Sequence, residues 1–159
     1  MDNDELMRLY FGVARLMDDY VSCIDEDRLE EWPDFFTEQC RYEIKPRENE
    51  AAGLPIAALL CDSRAMLVDR VVALRRANVF QPHVYRHFVS GLQIGAVDTD
   101  VVNCSANYLV LQTLQDGETR VYQTGRYHDV LERSERLRYR SRRAVYDTSR
   151  VQTLLVRPI

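Results

Sequence analysis

A chain of 159 residues, 46% hydrophobic and 29% charged, has the composition of an ordinary globular protein, long enough to bury a core without metals or disulfides and most simply read as one domain over residues 1–159. Its longest uninterrupted apolar run, Ile56 to Cys61, is far shorter than the ~20 residues that cross a bilayer, and its acidic start is the reverse of a secretory signal, so no membrane and a cytoplasmic location are expected. The net charge of -4, with Lys45 as the single lysine, argues against a nucleic-acid partner.

Asp2 and Glu5 stand at capping-box spacing, and Leu6, Leu9, Tyr10, Val13, Leu16, Met17, Tyr20 and Ile24 follow at helical spacing. Met7, Phe11, Ala14 and Val21 widen the stripe beyond the usual ~100°. This long helix is therefore expected in a groove, with protein on more than one side. Asp25 to Phe36 predicts a shorter helix, capped by Asp25 or Asp27, interrupted at Pro33, with Leu29, Trp32, Phe35 and Phe36 buried. Cys40 to Pro46 alternates as a strand that Pro46 ends; Arg47 to Leu54 reads as a polar loop and Pro55 to Cys61 as a short strand. Asp62 or Ser63 caps a third helix with Leu67, Val71 and Leu74 facing inward, broken by Asn78 to Pro82. His83 to Val97 is a strand with bends or bulges expected at Gly91 and Gly95.

Val101 to Thr148 reads as a three-strand antiparallel meander. Asp116-Gly117 predicts a tight type I′ turn, which sets Leu114 opposite Thr119, Val110 opposite Gln123 and Tyr108 opposite Gly125, the aromatic ring covering bare backbone. One face then collects Val102, Cys104, Ala106, Tyr108, Val110, Leu114, Val121, Tyr127 and Leu131 as core. The other carries polar residues but also Leu109, Leu111 and Tyr122, too apolar for water. Helices followed by a long sheet give an α+β order. A strongly curved antiparallel sheet bent by glycines and wrapped around the long N-terminal helix makes a cone.

Cys23, Cys40, Cys61 and Cys104 are scattered, which indicates packing residues and neither a disulfide framework nor a zinc site. His83 and His87 are four apart, but their β-branched, aromatic surroundings predict a strand, in which four residues span ~13 Å, too far to share a metal. No closely spaced Cys and His pairs of the Rieske kind, phosphate loop or nucleophile elbow is present. A cone can still house acid–base chemistry, and His87 or His128 with Asp25 or Asp129 is the candidate pair, histidine as base and aspartate fixing its tautomer. That pair supports the alternative of a stand-alone lyase or isomerase; a partner-binding module without an attached enzyme is a third.

Charge is unevenly spread, with 15 acids and 6 bases in residues 1–50 but 4 acids and 10 bases in residues 119–159. In the last strand Arg136, Arg138, Arg140 and Arg142 share one face. They are expected either in solvent or against the acidic third or a partner subunit, which makes Arg138, Arg140 and Arg142 interface candidates. Arg143 falls on the inward face and needs a carboxylate, with Asp147 or a residue across the sheet as the expected partner.

Glu31-Trp32-Pro33-Asp34-Phe35-Phe36-Thr37-Glu38 through Cys40 and Tyr42, Ser63 to Ala77, Tyr85-Arg86-His87, Gly125-Arg126-Tyr127-His128-Asp129, Arg143 to Asp147 and the apolar end Leu154 to Ile159 resemble the small (beta) subunits of Rieske-type aromatic-ring-hydroxylating dioxygenases. The Trp-Pro and Tyr-Arg-His blocks are most similar to the branch acting on aromatic carboxylates, such as terephthalate dioxygenase or salicylate 5-hydroxylase. The resemblance implies a cystatin-like or NTF2-like cone used as a scaffold, with no cofactor or catalytic residue in this chain. It implies a large alpha subunit carrying the Rieske [2Fe-2S] cluster and the mononuclear non-haem Fe(II), and a hexamer of three large and three small chains in which the small chains contact each other, and such a ring of subunits would cover Leu109, Leu111 and Tyr122 as a candidate subunit interface.

Overall fold

The computed structural model describes residues 2–77, 82–148, 155 and 157–159. Asp2 starts α1 (Asn3–Asp25) as expected, its side chain accepting the Glu5 N–H at 2.8 Å. Leu9, Val13, Leu16, Met17, Tyr20, Val21, Cys23 and Ile24 are buried along it. Leu6, Met7, Tyr10 and Phe11 are exposed, so the expected groove encloses only the later turns.

The second predicted helix does not form. Asp27 takes a φ of 60°, the left-handed conformation in which helices end, and the chain turns until a single 3-10 turn at Trp32–Phe35. Leu29, Trp32, Phe35 and Phe36 are buried all the same, since the apolar spacing fixes which side chains go inside even where the backbone is irregular. β1 (Phe36–Pro46) begins at Phe36 rather than Cys40. A short helix, α2 (Arg47–Ala51), replaces the expected polar loop, and β2 (Leu59–Cys61) is the end of the expected short strand. α3 (Arg64–Arg76) is capped by Ser63 and buries Leu67, Val71 and Leu74 as expected. Apart from Pro82, the break over Asn78 to Pro82 lies outside the described residues.

β3 (His83–Val97), β4 (Val101–Leu114), β5 (Thr119–Glu132) and β6 (Arg138–Tyr146) complete one six-stranded sheet in the order β2-β1-β6-β5-β4-β3. Neighbours are antiparallel except β1 and β6, which run parallel and make the sheet mixed. The β3–β4 register slips between Ser90 and Gln93 and between Ile94 and Val97, around the two glycines where bends were expected. Bulges of this kind bend a strand and increase its twist, and α1 packs chiefly against β3. The α+β cone is thus formed by a curved, open sheet against the long helix.

Two one-residue slips decide which side chains enter the core. At the hairpin only Gly117 has a positive φ, 86°. Its N–H bonds the Leu114 carbonyl at 3.0 Å, and the Leu114 N–H bonds the Glu118 carbonyl at 2.9 Å, a three-residue loop with a glycine bulge in place of type I′. Thr113, not Leu114, therefore lies opposite Thr119, and a bulge at Tyr122 restores Val110 opposite Gln123 and Tyr108 opposite Gly125. Between turn and bulge the faces exchange: Val121 is 56% exposed, whereas Tyr122 is 8% exposed and belongs to the core. The second slip skips Arg140, pairing passing from Leu131–Tyr139 to Val130–Ser141. Arg142 is thereby turned inward and fully buried, and Arg143 is turned outward, with its side chain 36% exposed.

Candidate functional site

The end of α1 brings Asp25 over β3. Its Oδ1 lies 2.6 Å from His87 Nδ1, and its Oδ2 accepts the His87 backbone N–H at 2.9 Å. Both side chains are buried. A carboxylate on Nδ1 fixes the ring and leaves Nε2 as the free position of an oriented base. The Tyr85 and Tyr122 rings lie 4.9 Å apart beside it. Burial, then Tyr122, pushes the Tyr85 hydroxyl well above its usual range, so it stays protonated. Of the four candidate acid–base residues, the fold joins only Asp25 and His87.

His128 and Asp129 face opposite ways. His128 is half-buried on the outer face opposite Arg143, and burial followed by Arg143 and Arg126 lowers its pKa. Asp129 is fully buried with its Oδ1 3.8 Å from Arg142 Nε. The Arg142 guanidinium sits over three rings, 3.7 Å from the Tyr127 centroid, 4.1 Å from Tyr20 and 4.5 Å from Tyr139. Burial pushes Asp129 up to about 6, with Arg142 and Arg143 pulling it back. Burial alone would lower Arg142, but Asp129 and the tyrosines more than offset it, so it remains a cation in an aromatic box. A strand carrying the pair Arg142-Arg143 must send one of them inward, and that was the available sequence signal for this box.

The expected pair of Arg143 with Asp147 is not formed. α2 brings Glu50 to Arg143 at 3.1 Å and Arg47 to Asp147 at 3.0 Å. Arg133 meets Glu5, and Arg157 meets Asp27, so arginines of the basic half do reach the acidic third. Arg138 and Arg140 are exposed, with Arg140 bound to Glu132 at 2.9 Å.

On the outer sheet face Leu109 and Leu111 are half-buried. Phe88 pairs with Leu109, and Leu111 lies between Arg86 and Val121; Val84, Phe88 and Val121 are exposed. Phe88, Leu109, Leu111 and Val121 thus place apolar side chains on this face of three strands, with the exposed Arg86 between Val84 and Phe88. The alternation of Val84 and Phe88 in β3 was a sequence signal for it that single-strand reading left unused.

All four cysteines are free and buried; desolvation raises the thiols of Cys23 and Cys40 to about 11, which makes them poor nucleophiles. His83 and His87 lie on the extended β3. Among the described residues no three His, Cys, Asp or Glu converge as a metal site, and no helix is long and apolar enough to cross a membrane.

The family described as ring hydroxylating beta subunit matches residues 20–153. The chain is 48% identical to the small subunit of anthranilate 1,2-dioxygenase from Burkholderia cepacia, over 98% of this chain and 97% of that one. It is 36% identical to subunit beta 1 of the terminal oxygenase component of terephthalate 1,2-dioxygenase from Comamonas sp, over 88% and 92% of the two chains. Among solved structures, a beta subunit assigned to an aromatic-ring-hydroxylating dioxygenase of Novosphingobium aromaticivorans superposes with a TM-score of 0.89 at 41% identity, covering 97% of this chain and 99% of that one. The beta subunit of benzoate 1,2-dioxygenase from Burkholderia mallei, 14% identical, shares the fold with a TM-score of 0.71 over 85% and 88% of the chains.

Proposed function

The chain belongs to the ring-hydroxylating beta subunit family, and from that premise we propose that it is the structural small subunit of the terminal oxygenase of an aromatic-ring-hydroxylating dioxygenase. The observation that carries this reading is the 48% identity to an anthranilate 1,2-dioxygenase small subunit along almost the whole of both chains. Anthranilate and terephthalate, named in the relatives, are both aromatic carboxylates, and we assign that substrate class to the assembled enzyme.

In this reading the chemistry belongs to a large alpha subunit with a Rieske [2Fe-2S] cluster and a mononuclear non-haem iron. The described residues of this chain do not supply a converging donor set for either, and no step is assigned to them. The chain contributes surface. The patch of Phe88, Leu109, Leu111 and Val121 is assigned to contacts between subunits, because apolar area of this kind is stabilised by a partner. The expected assembly has three large and three small chains in the cytoplasm.

The test is co-expression with its large chain. The two should purify together in a complex that hydroxylates an aromatic carboxylate, and the large chain alone should lose assembly and turnover. A large chain that assembles and turns over normally by itself would overturn the scaffold role. The Asp25–His87 pair favours one second reading, a stand-alone lyase or isomerase. Turnover of a small substrate by the purified single chain, abolished in His87→Ala, would establish it.

A further inference from the structure

His83, Tyr85 and His87 alternate along β3 and so share one face of the sheet. Tyr85 and His87 are buried on it, together with Gln112, which pairs with Tyr85 across β3 and β4, and with Tyr122 of β5. The Tyr85 ring is the centre of this group, its centroid 4.8 Å from His83, 6.1 Å from His87 and 4.9 Å from Tyr122. It is a second polar cluster inside the cone, beside that of Arg142 and Asp129.

Its hydrogen-bonding groups are left over. Among the described residues the hydroxyls of Tyr85 and Tyr122 and the Nε2 of His87 are buried without a partner, and a buried polar group in that condition weakens the fold that holds it. The leftover atoms have complementary roles. With its Nδ1–H given to Asp25, the neutral His87 ring keeps a lone pair at Nε2, whereas Tyr85, held protonated by burial, and Tyr122 are hydroxyl donors. A ligand hydroxyl answers both kinds, donating to the imidazole and accepting from a tyrosine. A way in is also present: His83, stacked on Tyr85, lines a hollow of about 210 Å³ where β3 starts and β4 ends, with Pro82, Thr113 and Leu114. That volume exceeds the roughly 150 Å³ that accepts a benzene-sized guest.

We propose that His87, Tyr85 and Tyr122 form a binding site for a small ring that carries a hydroxyl, a phenol or an enol, entered past His83. Asp25 fixes the imidazole from behind and is a positioning residue. The site goes beyond the assembly reading, which neither requires nor excludes it, and it gives the lyase or isomerase reading a ligand class.

The test titrates the full chain with phenol and with benzene, following heat and, by NMR, the nitrogen resonance of His87 Nε2. Phenol should bind saturably and benzene at least tenfold more weakly, and only phenol should move the Nε2 resonance upfield, as accepting a hydrogen bond does. Tyr85→Phe combined with Tyr122→Phe should weaken phenol at least tenfold yet melt no lower than the unmodified chain, because neither hydroxyl has a partner to lose. Phenol that fails to bind, binds like benzene or leaves the Nε2 resonance in place would overturn the proposal, the three groups then being satisfied by water alone. A double variant that melts lower would overturn it too, since the hydroxyls would be serving the fold. Phenol binding in a chain that shows no turnover supports the site and counts against the lyase or isomerase reading, so the two fail separately.

Discussion

Asp25, the last residue of α1, holds His87 of β3 at two points, the ring Nδ1 at 2.6 Å and the backbone N–H at 2.9 Å. The helix end is thus fastened to the edge strand of the sheet by a buried carboxylate with two donors to satisfy it. The same geometry that suits a catalytic pair also serves as a structural clamp. Hydrogen bonds to a charged group contribute about 1.5–3 kcal/mol each, and a buried donor left unpaired costs more than the bond was worth. Asp25→Ala should lower stability by about 3 kcal/mol in urea unfolding, and Asp25→Asn by about half as much. In the scaffold reading, turnover per assembled oxygenase should be unchanged in Asp25→Asn.

The Asp129 and Arg142 pair predicts a pH dependence. Burial raises the folded-state pKa of Asp129 to about 6, while in the unfolded chain it has the ordinary carboxylate value near ~3.9. Between these values the folded chain binds the proton more tightly than the unfolded one. This residue therefore favours folding at low pH and loses that contribution as pH rises from about 4 to about 6, by an order-of-magnitude ~3 kcal/mol. The stability of the unmodified chain relative to Asp129→Asn should fall over that window and be level above pH 7. A difference between the two that is flat from pH 4 to 7 would show that Asp129 does not titrate there.

Most of the cone was legible because its signals are local. The helical spacing from Leu6 to Ile24, the Ser63 cap and the glycines of β3 each dictate structure within a few residues. The register of β4 and β5 was legible at Tyr108 and Gly125 but not near the turn. A positive φ at one residue instead of two changes the loop by one position, and a bulge at Tyr122 takes it back. With a side-chain period of two, each such slip exchanges the faces. That is why Val121 and Tyr122 traded places and why Arg142 entered the core. The Asp25–His87 contact joins residues far apart in the chain, so residue types could nominate it among other pairs but not single it out. The hydrogen bonds of the Tyr20 and Tyr42 hydroxyls to the Ile159 main-chain oxygen depend on where the chain returns, which no local pattern encodes.

At Gly125 the backbone of β5 leaves no room for a side chain. A Cβ built there would lie 2.1 Å from the Val145 carbonyl oxygen, 2.8 Å from Tyr146 Cα and 2.9 Å from the Tyr108 hydroxyl. The first two are backbone and cannot swing aside. Tyr108 is also fixed, stacked on Tyr127 at 4.4 Å and bonded to Gln123 at 2.8 Å. Gly125→Ala should cost about 3 kcal/mol, a fall in Tm of about 6–12 °C, measured by calorimetry. Adding Tyr108→Phe should not restore it, because the contacts with β6 remain.

The exchange of Val121 and Tyr122 separates assembly from folding within two adjacent residues. Val121 is exposed on the outer patch, one strand from Leu111. A carboxylate there meets water in the single chain but would be desolvated, without a partner, in an apolar interface. Val121→Asp should leave Tm of the isolated chain within about 2 °C, since exposed substitutions typically move stability by less than ~0.5 kcal/mol, and should weaken subunit association at least tenfold in sedimentation. Leu111→Asp, half-buried on the same face, should do the same with a somewhat larger loss of stability. Tyr122→Asp puts its charge into the core against Tyr85 and should cost about 3–5 kcal/mol, so that the chain fails before assembly can be measured. Unchanged sedimentation of the complex with both Val121→Asp and Leu111→Asp would move the interface off this face of the sheet.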